Sequence, residues 1–423
     1  MSDSPIPEPT PAVSKSRSLR VLLAGGGTAG HVNPLLATAA ALRDGATGGD
    51  PETEILVLGT KEGLEERLVP EAGYRLAYVP RVPMPRRPTG DLLLLPRRLR
   101  RAVTAAADAI TQVDADVVVG FGGFVSTPAY LAARSAGVPV VIHEQNARAG
   151  LANRLGARWA GAVALTFAST PLTASHGRTE VTGLPLRPAI GGLVARLQVD
   201  AEATRREGAA ALGLDPAATT LLVTGGSLGA QHLNEVMSEC AARLPEDLQV
   251  LHLTGRNKDT PVRTALEQAA GRAPGLLERY HVLDYLNSME QAYACADGVI
   301  CRSGAGTVAE LTALGLPALY VPLPIGNGEQ RLNAADCVAA GGGQLVADAD
   351  LGAGDILAFT ALLTDSSRRR QAAAAAASTG VRDGAERLAA LIREVAAGGP
   401  GSRAGDANDR ADADGTETQE HNQ

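Results

Sequence analysis

The residues Gly25-Gly26-Gly27-Thr28-Ala29-Gly30-His31 follow the apolar run Val21–Ala24 and open a helical pattern from Pro34 to about Arg43. A strand, a glycine-rich turn and a helix start form a cradle for phosphate. Glycines let backbone N–H groups approach an anion, and the helix start adds positive potential. The turn ends in a histidine, a side chain that can take a proton near neutral pH. Together these residues point to transfer chemistry on a phosphorylated substrate. Gly25-x-Gly27-x-x-Gly30 also fits a dinucleotide fingerprint. That chemistry needs an acid at the end of the second strand to hold the ribose. The second strand, Glu54–Leu58, ends in Gly59-Thr60, with Glu62 the nearest acid, which disfavours a dehydrogenase.

Three further stretches carry chemistry. Gly120-Phe121-Gly122-Gly123-Phe124-Val125-Ser126 follows the run Val117–Val119 and is a second candidate anion loop, or else a tight packing turn. A diphosphate needs several convergent donors, which favours two loops acting together. His143-Glu144-Gln145-Asn146 sets four polar side chains in a row after Val140–Ile142. Cys301-Arg302-Ser303-Gly304-Ala305-Gly306-Thr307-Val308-Ala309-Glu310 again joins a strand to a helix through glycines. Glu310 is placed to accept both hydroxyls of a ribose while the turn's N–H groups hold a diphosphate, or else to stabilise a helix N-terminus.

Parallel strands covered by helices would position these loops. Short apolar runs at Val21–Ala24, Ile55–Leu58, Arg75–Val79, Val117–Val119, Val138–Ile142, Val163–Thr166 and Glu180–Thr182 alternate with alanine-rich helical segments. The pattern restarts at Thr219–Thr224, followed by Gly225-Gly226-Ser227-Leu228-Gly229-Ala230, and continues at Val250–Leu253, His281–Leu283, Val299–Cys301, Ala318–Val321 and Gln344–Val346. Strand-then-helix order argues for an α/β protein with two Rossmann-like parallel sheets. Ligands would lie between them, at the carboxyl ends of the strands. The expected organisation is a disordered tail over 1–18, an N-terminal domain over 19–190 and a linker region over 191–217. A C-terminal domain over 218–365, helices over 366–397 that could pack back on the first domain, and an acidic tail over 398–423 complete it.

The 423-residue chain is 45% apolar and carries a formal charge of −7, of which the last stretch, 398–423, supplies −4. The folded part is thus close to neutral, and nothing points to nucleic acid as a partner. Four scattered cysteines, Cys240, Cys295, Cys301 and Cys337, form no CxxC pair, so a metal or disulfide framework is not expected. Asp114-Ala115-Asp116 precedes its strand and lies at the wrong end for a metal-bound diphosphate; neither metal nor cofactor is expected. The first residues lack the apolar core of a signal peptide, and no apolar run is long enough to span a membrane. One segment, 81–101, breaks the rhythm: leucines 92–95 are flanked by Arg86, Arg87, Arg97, Arg98, Arg100 and Arg101. Leu92, Leu93, Leu95, Arg97 and Arg98 suit contact with an anionic bilayer, against the alternative of a solvated helix face whose leucines enter the core.

Taken as an ordered set, Gly25–His31, Gly120–Ser126, His143–Asn146, Gly225–Ala230, Cys301–Glu310 and Gln330–Ala334 resemble the MurG family of N-acetylglucosaminyltransferases, over about 20–395. The resemblance implies a glycosyltransferase B fold and a peripheral place on the cytoplasmic face of the cell membrane. It also implies inverting transfer of N-acetylglucosamine from UDP-N-acetylglucosamine to the C4 hydroxyl of the muramoyl group of undecaprenyl-diphosphate-linked muramoyl pentapeptide, lipid I to lipid II. By resemblance the donor sites are Asn146, Arg187, Ser227, Leu286, Ala305, Gly306, Thr307, Glu310 and Gln330, with Leu286 holding uracil through its backbone. Thr28, Ala29 and Gly30 would face the transferred sugar and the acceptor diphosphate, Gly26, Gly27, Gly122, Gly123 and Ser126 would form the acceptor diphosphate loops, and His31 would be the general base. Ala29, Phe124, Leu184 and Glu329 depart from residues common in the family. Another UDP-sugar transferase with a lipid or small-molecule acceptor, a UDP-N-acetylglucosamine epimerase, and a nucleotide-sugar-binding scaffold are the alternatives.

Overall fold

The computed structural model describes residues 17–82, 95–226, 229–324 and 327–398. Among the described residues, short β-branched and leucine-rich runs form thirteen strands in two wholly parallel sheets. The first sheet contains β1 (Arg20–Ala24), β2 (Glu54–Gly59), β3 (Arg75–Tyr78), β4 (Val117–Gly120), β5 (Val140–Glu144), β6 (Ala162–Leu165) and β7 (Arg178–Val181). The second contains β8 (Thr219–Thr224), β9 (Leu248–Leu253), β10 (Tyr280–Leu283), β11 (Gly298–Cys301), β12 (Ala318–Tyr320) and β13 (Gly343–Leu345).

Their orders are β3-β2-β1-β4-β5-β6-β7 and β10-β9-β8-β11-β12-β13. Each sheet therefore reverses its winding once, between β1 and β4 and between β8 and β11. Val21 pairs with Ile55 on one side and Val117 on the other; Leu222 pairs with Leu251 and Val299. Connections leaving the two central strands run in opposite directions, which opens a crevice at their carboxyl ends. All four glycine-rich turns start there.

The central strands of each sheet are buried on both faces, and successive residues of β1 serve opposite faces. Leu22 and Ala24 pack under the helices Leu95–Val113 and Ser126–Ala136. Val21 and Leu23 pack under the helix Ala29–Arg43 and the last helix, Gly384–Ala397, through Leu388, Leu391 and Ile392. The helix Gly384–Ala397 thus returns to the domain that holds β1. Residues 191–217 are mostly helix, within Pro188–Leu212, which packs on the second domain.

The chain crosses between domains twice, and the crossings touch. A Cβ on Gly183 would overlap Val381, and one on Gly384 would lie 2.7 Å from the Leu184 carbonyl oxygen. Leu92 and Leu93 lie outside the described residues. Leu95 starts its helix half-buried, while Arg97, Arg100 and Arg101 are exposed. Among the described residues no helix is long and apolar enough to cross a membrane.

Ile392 is fully buried against the first sheet. Ile392→Ala should destabilise the first domain by about 2–4 kcal/mol, from lost burial and the cavity left behind. Urea unfolding followed by circular dichroism measures it, and a change below ~0.5 kcal/mol would contradict this packing.

Candidate active site

Two helix starts open into one cleft of about 590 Å³. The helix Ala29–Arg43 begins after Thr28, and the helix Ala305–Leu314 after Gly304; neither has a side-chain cap or an acid in its first turn. Their first N–H groups have no acceptor within the helix. Thr28, Ala29, Gly30 and His31 line the cleft from one domain, and Ala305, Gly306, Thr307 and Glu310 from the other. Pro34 removes the N–H that the Gly30 carbonyl would otherwise accept from, leaving that carbonyl at the cleft edge.

His31 sits in the first turn of its helix with Nδ1 3.0 Å from the Thr28 hydroxyl. Its ring packs against the second glycine turn. A Cβ on Gly122 would lie 3.3 Å from His31 Nε2, and Gly122 and Gly123 both have positive φ, so this turn needs glycine twice over. Burial lowers the His31 pKa below its ordinary value, although the Gly26 carbonyl and the Glu65 charge pull the other way. The ring is therefore neutral near pH 7, the form that accepts a proton.

Two expectations about these loops are not met. The Gly27 N–H does not face the cleft for an anion; it donates to Glu65 Oε2 at 2.8 Å. The Ser126 hydroxyl is fully buried and donates to the carbonyls of Gly122 and Ala24. Gly26, Gly27, Gly122, Gly123 and Ser126 are not among the cleft-lining residues; Gly26, Gly122 and Ser126 are buried, whereas Gly27 is exposed. Glu65 itself escaped the reading of the sequence because it stands in a charged run, Lys61–Glu66, that looks solvated.

His143–Asn146 divides into two parts. His143 Nε2 lies 3.0 Å from the Gly183 carbonyl, which can only accept, so Nε2 carries the proton and Nδ1 accepts from Gln145 Nε2 at 3.1 Å. Full burial lowers its pKa to about 4. The buried Glu144 accepts from the N–H groups of Asn146 and Gly150 and from Asn153 Nδ2, while Asn153 Oδ1 accepts from Tyr130. Burial raises the Glu144 pKa against those donors. This network leaves Gln145 and Asn146 lining the cleft.

Across the cleft, Arg187 Nε donates to Glu310 Oε1 at 2.8 Å, and the Tyr293 hydroxyl donates to Oε2 at 3.2 Å. Two residues expected in the donor site thus hold each other. Arg187 loses hydration by burial, and Glu310 more than offsets that loss. Leu286, Leu184 and Glu329 also line the cleft. Gln330 is not among its lining residues; its side-chain oxygen accepts from the Leu323 N–H at 2.9 Å. Ser227 lies outside the described residues. The exposed Phe124 carries Arg81 over its ring.

Asn333 is a second residue not singled out from the sequence. It is buried between the domains, where Oδ1 accepts from the Ala147 N–H at 2.8 Å. Its Nδ2 donates at 3.3 Å to both Asn146 Oδ1 and the Ser303 carbonyl. Its signal was the invariant need of a buried amide for partners, which sequence alone does not assign. Asp114 and Asp116 pair with Arg17 and Arg20 at the amino end of β4, away from the cleft.

Residues 21–165 match the glycosyltransferase family 28 N-terminal domain, and residues 220–388 match the family 28 C-terminal domain. The chain is 48% identical over 387 residues to a UDP-N-acetylglucosamine–N-acetylmuramyl-(pentapeptide) pyrophosphoryl-undecaprenol N-acetylglucosamine transferase of Bifidobacterium longum, spanning 89% of this chain and 97% of that one. It is 50% identical over 382 residues to a transferase of the same name from a Nocardioides species, spanning 90% and 99%. The crystal structure of Acinetobacter baumannii MurG superposes with a TM-score of 0.70 at 27% identity, over 89% of this chain and 99% of that one. A UDP-GlcNAc 2-epimerase from Neisseria meningitidis shares the fold alone, with a TM-score of 0.61 at 14% identity over 90% and 99% of the chains.

The buried neutral His143 has a consequence for stability. Its folded pKa of about 4 lies below the ordinary 6.5, so the unfolded chain takes up a proton that the fold excludes. The stability it contributes is complete above pH 6.5 and is lost as pH falls towards 4, by on the order of 3 kcal/mol. Urea midpoints of the wild type should fall across this window more steeply than those of His143→Gln; equal slopes would contradict the assignment.

Proposed function

We infer the reaction from the family, since the chain belongs to the MurG glycosyltransferases: it transfers N-acetylglucosamine from UDP-N-acetylglucosamine to lipid I, forming lipid II in peptidoglycan synthesis. The observation that carries this reading into the structure is the pair of uncapped helix starts opening into one cleft, one bearing His31 and the other Glu310.

We propose the following roles. The neutral His31 takes the proton from the acceptor's C4 hydroxyl as that oxygen attacks the anomeric carbon. The bond from that carbon to the diphosphate oxygen breaks, and UDP leaves with the electron pair, so the sugar inverts. The N–H groups of Ala305, Gly306 and Thr307, together with Ser227, hold the donor diphosphate, and those of Thr28, Ala29 and Gly30 face the transferred sugar and the acceptor diphosphate. Such donors are fixed before the reaction and need no reorganisation as charge develops. Leu286 holds uracil through its backbone, and Asn146 completes the donor site. Glu310 accepts the ribose hydroxyls; a ribose there competes with Arg187 for the carboxylate and frees the guanidinium for the diphosphate.

We further propose that the protein rests on the anionic cytoplasmic face of the membrane. Arg97, Arg100 and Arg101 stand exposed on a helix whose opposite face, Ala102, Ala106, Ala109 and Ile110, is locked into the core. Charge on a fixed surface of the first domain, which carries His31, suits a lipid-linked acceptor.

Labelled UDP-N-acetylglucosamine and a short-chain lipid I analogue test the reaction; acceptor-dependent label in the lipid product is expected, and turnover of the donor without acceptor would favour an epimerase. His31→Ala should lower kcat ~100-fold or more, and a loss within about threefold would rule out the base role. The double variant R97E/R101E should lose sedimentation with phosphatidylglycerol vesicles while its KM for the donor stays unchanged. Equal sedimentation of both proteins would remove the arginine face from membrane binding.

A further inference from the structure

Glu65 occupies an unusual place: a fully buried carboxylate directly behind a loop built for anions. Its Oε2 accepts from the Gly27 N–H at 2.8 Å, and Oε1 accepts from both the N–H and the hydroxyl of Thr60, each at 2.8 Å. Three glycines make room for it. A Cβ on Gly26, Gly59 or Gly63 would overlap its side chain. The first glycine loop, the end of β2 and the turn after β2 are therefore moulded around one carboxylate.

Resting on the transferase reading above, we propose that Glu65 is a positioning residue for the acceptor half of the site. Its carboxylate withdraws the Gly27 N–H from the cleft and fixes the positive φ of Gly27, so that the chain enters the helix with Thr28, Ala29 and Gly30 on the cleft wall. The anion site is thereby confined to the helix start. The same loop sets His31 between the Thr28 hydroxyl, the Gly26 carbonyl and the Gly122–Gly123 backbone, all of them neutral. Glu65 supplies the charge that acts on the ring. When His31 takes a proton, the imidazolium forms near a negative charge that is already in place and needs no solvent rearrangement.

The carboxylate is kept ionised by its donors. Burial pushes its pKa up, but the N–H groups of Gly27, Thr60 and Glu65 itself and the Thr60 hydroxyl together outweigh burial and hold it below the ordinary value. A glutamine at 65 cannot reproduce this pattern, because its amide must turn a donor towards either Gly27 or Thr60.

Glu65→Gln tests the proposal by two readouts. In steady-state transfer, kcat should fall about 10- to 100-fold from displacement of the loop, with the KM for UDP-N-acetylglucosamine within threefold of wild type. A kcat within threefold of wild type overturns the proposal. In the second readout, the His31 ring resonance, identified by its loss in His31→Gln, should titrate at lower pH in Glu65→Gln. An unchanged titration overturns the proposal whether or not transfer is seen. Absence of transfer by the wild type would instead overturn the reaction. If circular dichroism shows Glu65→Gln unfolded, Glu65→Asp carries the test. The shorter carboxylate keeps its charge but loses its reach to Gly27, and a kcat within threefold of wild type again overturns the proposal.

Discussion

The first N–H groups of an α-helix have no acceptors inside it, and this molecule is arranged around two such ends. Most helices of the described chain start without a side-chain cap, and the two at Thr28 and Gly304 are set apart because both open into the cleft between the domains. The sheet topology makes that possible. Each sheet reverses its winding beside its central strand, so the turns after β1, β4, β8 and β11 diverge and leave space that no helix fills. Backbone donors from both domains thereby face one shared space.

The polar groups of the site fall into two populations. Some face the cleft: the first turn of each helix, His31, Asn146, Arg187 and Glu310. Others never meet it and hold the first set in place: Glu65 behind the first loop, Ser126 behind the second, Glu144 and Asn153 behind Asn146, and Asn333 between the domains. Each member of the second set is almost fully buried, where an unpaired polar group is expensive. Their hydrogen bonds fix a single backbone conformation and so fix where the exposed donors point.

This division explains what could be read from the sequence. Strands such as Leu221–Val223 and Val117–Val119 announce themselves as short apolar runs of leucine and valine, and the glycine turns after them have few other uses. His31 and Glu310 are legible because each stands at a fixed offset from such a turn. Glu65 is not, since a charged run looks the same whether it faces water or the underside of a loop 38 residues away. The pairing of Arg187 with Glu310 spans 123 residues and belongs to the tertiary fold alone. The last helix shows an apolar face at Leu388, Leu391 and Ile392, but spacing tells that the face is buried and not which sheet buries it.

The return of that helix to the first sheet makes the second domain an insertion within the first. Synthesis runs from the amino end, so the face of the first sheet that holds Val21 and Leu23 stays partly open while nearly the whole second domain is made. The first domain begins folding first and finishes last. Its completion waits on residues 384–397, which places the quality of that domain under the control of a helix made long after its sheet.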